Sequence, residues 1–218
     1  MQELFDFVLH FNPEKLQALT QQFDFWIYAI LFAIIFAETG LVVMPFLPGD
    51  SLLFAAGFVC AAGNMNIWLL TALLIVAAIV GDTVNYHIGK WLGPIVLSGE
   101  KSWLFNRKHL ERTQEFFDKH GAKTIIIARF MPIVRTYAPF VAGVGAMQYG
   151  RFLLYNAVGG VVWVAGFLWF GYLLGGNAWV TANFKLVTLA IIFLSILPGI
   201  IEVARHFLGR KVEPVVAK

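Results

Sequence analysis

Two arginines, Arg129 and Arg135, stand six positions apart in the stretch TIIIARFMPIVRTYAPFVAGVG, residues 124–145. Pro132 lies between them, Pro139 just beyond, and the run closes on an F-V-A-G that ends at Gly143. Nearly everything else in it is apolar. A guanidinium near the middle of a bilayer costs on the order of 3 kcal/mol or more unless it is paired or hydrated. Irregular backbone at that depth is tolerated only where it is buried in protein or lines a cavity. The stretch therefore predicts a broken or re-entrant helical hairpin beside a cavity rather than a plain span. The chemistry open to it is anion recognition, since an arginine fork binds carboxylate or phosphate through two parallel hydrogen bonds.

Carboxylates of matching setting lie upstream. Glu38 and Asp50 flank ETGLVVMPFLPGD, an elbow containing Pro45, Pro48 and Gly49. The apolar arm before it, Phe23 to Ala37, has only 15 residues, where about 20 are needed to cross a bilayer. The arm after it runs from Ser51 to Ala62. Residues 23–62 read as a second re-entrant hairpin, with two ordinary spans joined by a surface turn at 45–50 as the alternative. If the hairpins meet tip to tip, two carboxylates face two guanidiniums. Two readings of that set stay open. The charges neutralise one another and make insertion tolerable, or they form an anion site gated by protons. In the second reading a poorly solvated carboxylate carries a coupling proton, and protonation frees its arginine for a phosphate. Asp82, Asn85 and Tyr86 form either a polar patch behind this site or the solvated end of a helix.

The elements that must position these residues follow from composition and hydropathy. The chain has 218 residues, 59% hydrophobic and 13% charged, with a mean hydropathy of +0.75. Soluble domains carry about 25% charged residues, so an all-α integral membrane protein is expected. A net charge of +3 does not point to nucleic acid, because membrane proteins keep Lys and Arg in cytoplasmic loops. Residues 1–22 open with acids and lack a basic leader; they predict an interfacial segment, not a cleaved signal peptide. Residues 23–88 form one hairpin-plus-span unit, with Asn66 to Tyr86 as its full span. Residues 89–123 form an amphipathic linker with seven Lys/Arg against four acids over 90–123, placing it in the cytoplasm. Residues 124–176 form a second hairpin-plus-span unit. A last span covers 184–208, and the basic tail 209–218 stays inside. Three crossings then put the acidic N-terminus outside.

The two units share a pattern. Phe54-Ala55-Ala56-Gly57 recurs as Phe140-Val141-Ala142-Gly143, 86 positions on, and the same displacement carries Tyr86 onto Tyr172 and Gly89 onto Gly175. Hairpins entering from opposite sides would make an inverted repeat, with the site between the halves near mid-membrane. No residues have metal-ligand spacing, and neither G-x-S-x-G nor a phosphate-binding loop is present. A non-enzymatic protein without cofactor is expected.

The segments E-x(6)-P-F-L-P-G-D (38–50), G-D-x-x-N-Y-x-I-G-K (81–90) and A-R-F-M-P-I-V-R-T-Y-A-P-F-V-A-G (128–143) together resemble the DedA family, also called the SNARE-associated Golgi or VTT-domain family. The similarity runs over nearly the whole chain. It implies a multi-pass protein of the bacterial inner membrane with two opposed re-entrant hairpins and a role in moving lipids. Bacterial members are implicated in returning undecaprenyl phosphate to the cytoplasmic face and in proton-motive-force-dependent phenotypes. The family's functional acids fall on Glu38 and Asp50, and its functional arginines on Arg129 and Arg135. The implied partners are the bilayer, a polyprenyl phosphate or other anionic lipid, and protons, with a homo-oligomer left open. A proton-coupled small-ion or drug transporter, a passive phospholipid scramblase, and a membrane organiser with purely structural charges are the alternatives.

Overall fold

The computed structural model describes residues 25–41, 49–63, 65–97, 114, 117–118, 120–183, 186–187 and 189–190. The expected N-terminal segment, the elbow prolines Pro45 and Pro48, most of the linker and nearly all of the last span lie outside them. Every regular element among the described residues is helical. In chain order these are α1 (Trp26–Gly40), α2 (Gly49–Ala61), α3 (Ile67–Leu97), a 3-10 turn (Gly121–Lys123), α4 (Thr124–Ala128), α5 (Pro132–Val144), α6 (Tyr149–Leu174) and α7 (Ala178–Ala182).

Length sorts these helices. At 1.5 Å per residue, α3 and α6 extend about 46 and 39 Å, enough to cross a hydrocarbon core of about 30 Å. Both are apolar enough to do so. Their outward faces carry Trp68, Val76, Val80, Val84, Leu154, Val158, Val162, Phe170 and Leu173, all exposed. So continuous an apolar surface belongs against lipid. By contrast α1 and α2 reach only about 22 and 20 Å, and α2 is buried on every side from Ser51 to Cys60. The sequence boundaries shift in two places. Glu38 sits inside the last turn of α1, and α3 continues through Leu97, well beyond Tyr86.

Contacts give the directions. The Asn66 N–H, just before α3, donates to the Tyr28 hydroxyl at the start of α1 at 2.7 Å. At the far end of α1, Glu38 accepts from the Gly49 N–H that opens α2 at 3.3 Å. The chain therefore goes in along α1, turns, and comes back along α2 before α3 starts across. In the second half, Arg129–Met131 breaks the helix. Met131 is extended (φ −125°, ψ 105°) and Pro132 opens α5, the position where a missing N–H costs nothing. Ile125 and Ala128 then share one cluster with Ala138, Ala142, Tyr86 and Phe152, so α5 returns beside α4. The second broken pair starts from the opposite end of the bundle to the first.

Glycines lock the two halves crosswise. A Cβ on Gly57 of α2 would fall on the Leu168 carbonyl oxygen of α6 and approach the Tyr172 nitrogen. A Cβ on Gly143 of α5 would fall on the Tyr86 carbonyl oxygen of α3 and approach the Lys90 nitrogen. In return, Gly171 of α6 and Gly175 just after it lie against Phe54 and Phe58, while Gly89 and Gly93 of α3 lie against Phe140 and Val144. These contacts bear on the sequence pattern, with one correction. The short arms correspond at 86 positions, but the long helices correspond at 82: Tyr86 to Leu168, Gly89 to Gly171, Gly93 to Gly175. Matching Tyr86 with Tyr172 misses by one helical turn.

This packing makes a stability prediction. Gly57→Ala and Gly143→Ala each place a methyl on backbone of the facing helix and should destabilise by about 2 kcal/mol or more. Gly166→Ala, where a Cβ meets nothing within 4 Å, should leave the melting midpoint in detergent unchanged or slightly raised. Equal midpoints for all three would remove the crosswise lock.

Candidate functional site

The residues flanking the two breaks meet halfway along α3. Asp82 stands 15 residues from each end of that helix, about 22 Å either way. Glu38 comes from the last turn of α1, Asp50 from the first turn of α2, Arg129 from the end of α4 and Arg135 from the first turn of α5. Helix-terminal placement lets four charged side chains converge without a long loop.

Arg135 holds Glu38 and Asp50 together. Its Nη1 donates to Asp50 Oδ1 at 2.7 Å and its Nη2 to Glu38 Oε1 at 2.5 Å. Asp50 Oδ1 also accepts from the indole N–H of Trp163 at 2.8 Å. A methyl on Gly49 would collide with the Glu38 carboxylate, so glycine there clears the space that carboxylate occupies. Arg129 does not join this set. Its Nη2 pairs with Asp82 Oδ2 at 2.5 Å and donates to Asn156 Oδ1 at 2.5 Å. Asn156 in turn donates to the Ile79 carbonyl at 3.0 Å. Gly159 and Gly160 leave the slot for this guanidinium, since a Cβ on Gly159 would come within 3.0 Å of Arg129 Cδ. The expected two-on-two facing of carboxylates and arginines is therefore corrected. Arg135 alone faces Glu38 and Asp50, and the two long helices grip Arg129.

Asp82 and Asn85 are buried at 4% and 0% exposure, which rules out a solvated helix end for them. The Asn85 amide donates to the Thr39 carbonyl at 3.2 Å and to the Thr136 carbonyl at 3.0 Å, stitching α1 to α5 through α3. Tyr86 donates its hydroxyl to the Met147 carbonyl and stacks on Phe152. Gly143 belongs to the α3 contact described above. Pro139 lies buried within α5, and Pro132 is its first residue.

Trp163 and Asn156 were not singled out from sequence. Seven residues apart on α6, they share one face. The Trp163 ring has the Arg135 guanidinium 5.6 Å and the Arg129 guanidinium 5.8 Å from its centroid, within cation–π range. An asparagine inside an otherwise apolar span is the signal that could have found the Arg129 partner. Nothing local marks Trp163 among seven tryptophans.

A cavity of about 20 Å³ lies among Glu38, Thr39, Asp82, Arg129, Arg135, Thr136 and Trp163. That volume suits about one water molecule. Glu38 Oε2, Asn85 Oδ1 and Arg129 Nε are buried without a hydrogen-bond partner among the described residues. With every group ionised, three carboxylates meet two guanidiniums. The arrangement can bind a small polar species, exchange one anion for another on an arginine fork, and accept a proton to reach neutrality.

Residues 47–173 match the VTT domain family. The chain is 50% identical to Protein DedA of Escherichia coli K12 over 205 residues, 93% of each chain. It is 43% identical to an uncharacterized membrane protein of Mycobacterium tuberculosis over 183 residues, 83% of this chain and 80% of the other. It is 38% identical to the inner membrane protein YqjA of Escherichia coli K12 over 151 residues, 68% of each. No solved structure matches the chain.

The buried pair also predicts a stability result. Asp82→Ala leaves Arg129 buried and half-partnered and should cost about 3 kcal/mol or more, whereas Asp82→Leu with Arg129→Met, an apolar pair of similar volume, should recover most of that. Melting midpoints of the purified variants decide it. A double variant no more stable than the single one would show that the pair does more than compensate charge.

Proposed function

The chain belongs to the VTT-domain, or DedA, family of membrane proteins, and from that premise we propose that it moves a phosphate-headed lipid across the bilayer. The cargo in this reading is a polyprenyl phosphate such as undecaprenyl phosphate, carried across the bacterial inner membrane. The two broken helix pairs act as re-entrant hairpins entering from opposite faces. The observation that carries the reading is the Arg135 fork, shared between Glu38 and Asp50 halfway along the bundle and beside a polar cavity. A phosphate presents the same bidentate geometry as those carboxylates, so the headgroup competes for Arg135 while the tail stays in lipid. A proton offsets the excess carboxylate and favours the arginine's release. Orientation has its own support. Lys90, Lys123 and Arg151 are exposed at one end, while exposed Trp26, Trp68 and Trp179 mark the other, where no Lys or Arg occurs among the described residues. The basic end is then cytoplasmic.

A second reading has one observation in its favour. The cavity, at about 20 Å³, is the size of a water and not of a phosphate, which suits a proton-coupled carrier of small ions.

Transport of labelled polyprenyl phosphate in proteoliposomes separates the readings. Wild type should move the lipid, Arg135→Ala should lose at least about tenfold, and Arg129→Lys should be impaired because a point charge does not replace the fork. Equal rates for wild type and Arg135→Ala would sink the arginine role. Lipid movement unaffected by a proton gradient would leave a passive scramblase. A pH gradient collapsed by an added cation, without lipid movement, would favour the small-ion carrier. Exchanging Asp50→Arg with Arg135→Asp should restore folding but not transport; restored transport would make the charges purely structural.

A further inference from the structure

Asp50 and Glu38 share Arg135 but are not equally placed without it. Asp50 Oδ1 accepts from Arg135 Nη1 at 2.7 Å and from Trp163 Nε1 at 2.8 Å. Glu38 has no second side-chain donor among the described residues: Oε1 takes Arg135 and the Gly49 N–H at 3.3 Å, and Oε2 has no partner. Trp163 is 2% exposed and sits on α6, a long helix outside both broken pairs. Its ring walls the cavity and faces both guanidiniums.

We propose that Trp163 is a positioning residue for headgroup exchange, whose indole N–H keeps Asp50 partnered while the Arg135 fork turns to a phosphate. The proposal rests on the transport reading and names the residue that makes its exchange step reversible. Taking Arg135 away strands two carboxylates where water is scarce. A stranded charge without a donor holds its arginine back, because the penalty of an unmade hydrogen bond falls on the group left behind. With the indole in place, Asp50 loses one donor of two. The aromatic face also gives the released guanidinium a surface to move along.

The test is a double-mutant cycle on binding. Wild type, Trp163→Phe and Trp163→His, each alone and combined with Asp50→Asn, are placed in phosphatidylethanolamine nanodiscs. A polyprenyl phosphate is titrated against the polyprenyl alcohol of the same length. Phe keeps a ring without the donor, and His sets its Nε2–H near the place of the indole N–H. Trp163→Phe should weaken phosphate-dependent binding about tenfold, as for a lost hydrogen bond to a charged group, and Trp163→His should recover most of it. In the Asp50→Asn background, where no charge is stranded, the Phe loss should vanish. Equal losses in both backgrounds, or no recovery with His, would make Trp163 a packing residue and overturn the proposal. If Trp163→Phe does not fold, near-wild-type binding by Trp163→His supports the donor's role, and a folded Trp163→His that has lost phosphate preference overturns it. Wild-type binding that does not distinguish phosphate from alcohol overturns instead the transport reading beneath it.

Discussion

A guanidinium deep inside an apolar bundle must be held by carboxylates or other acceptors, and this constraint organises the structure. Burying such a charge unpaired is far costlier than any gain from packing one side chain. Arg135 meets it by drawing in Glu38 and Asp50, which lie on different helices either side of a break. Arg129 meets it with Asp82 and Asn156 from the two long helices. Each partner sits at a helix end or on the inner face of a span. The end of α1 at Gly40, the start of α2 at Gly49 and the break at 129–131 can thus be read as consequences: charges at helix ends reach mid-depth from short arms.

The glycine contacts explain how so polar a centre is kept in place by so apolar a shell. In α2 and α5 the same small residue admits the backbone of a long helix from the other half. Close backbone approach of this kind is how helices associate where lipid removes the hydrophobic drive. Because α2 leans on α6 and α5 on α3, neither half can bury its short arm alone. The exchange of arms brings residues of both halves to one point. The one-turn offset between the 86-residue and 82-residue correspondences falls between the short arm and the long helix. The repeat has therefore drifted by four residues in a connection while its packing faces stayed in register.

Much of this was legible in the sequence. Charge rarity exposed Arg129, Arg135, Glu38 and Asp50, because a bilayer makes every interior charge an anomaly. Pro132 marked the start of α5 and Gly49 that of α2, and the F-x-A-G recurrence marked the two arms that pack on the long helices. What stayed hidden was pairing. Asp82 is followed within eight residues by His87 and Lys90, a context that reads as a helix end, yet α3 continues to Leu97 and buries it. Only the three-dimensional path of α4 sets Arg129 beside Asp82 rather than Glu38. Trp163 was hidden for another reason: in a chain rich in aromatics one indole N–H has no local signature, and its role appears only when Asp50 is found across from it.

The two arginines hold different kinds of anchor, and under the proposed function that difference assigns the motion. Arg129 is fixed to α3 and α6, the two long helices, through a carboxylate and an amide that is itself bonded to Ile79. Parting the first broken pair from the second leaves this contact whole. Among the described residues, Arg135 makes its ion pairs with Glu38 and Asp50 of the opposite pair, so any such parting must undo them. The cavity beside it, about 20 Å³, is the size of one water, so in that reading a phosphate enters only if the parting occurs. Anion arrival and the loosening of the two halves are then one event, because the same fork cannot serve the carboxylates and the phosphate together. Under the proposed function, the tight arrangement is thus the unloaded state of such a carrier, with Arg129 as the fixed point about which the exchange at Arg135 takes place.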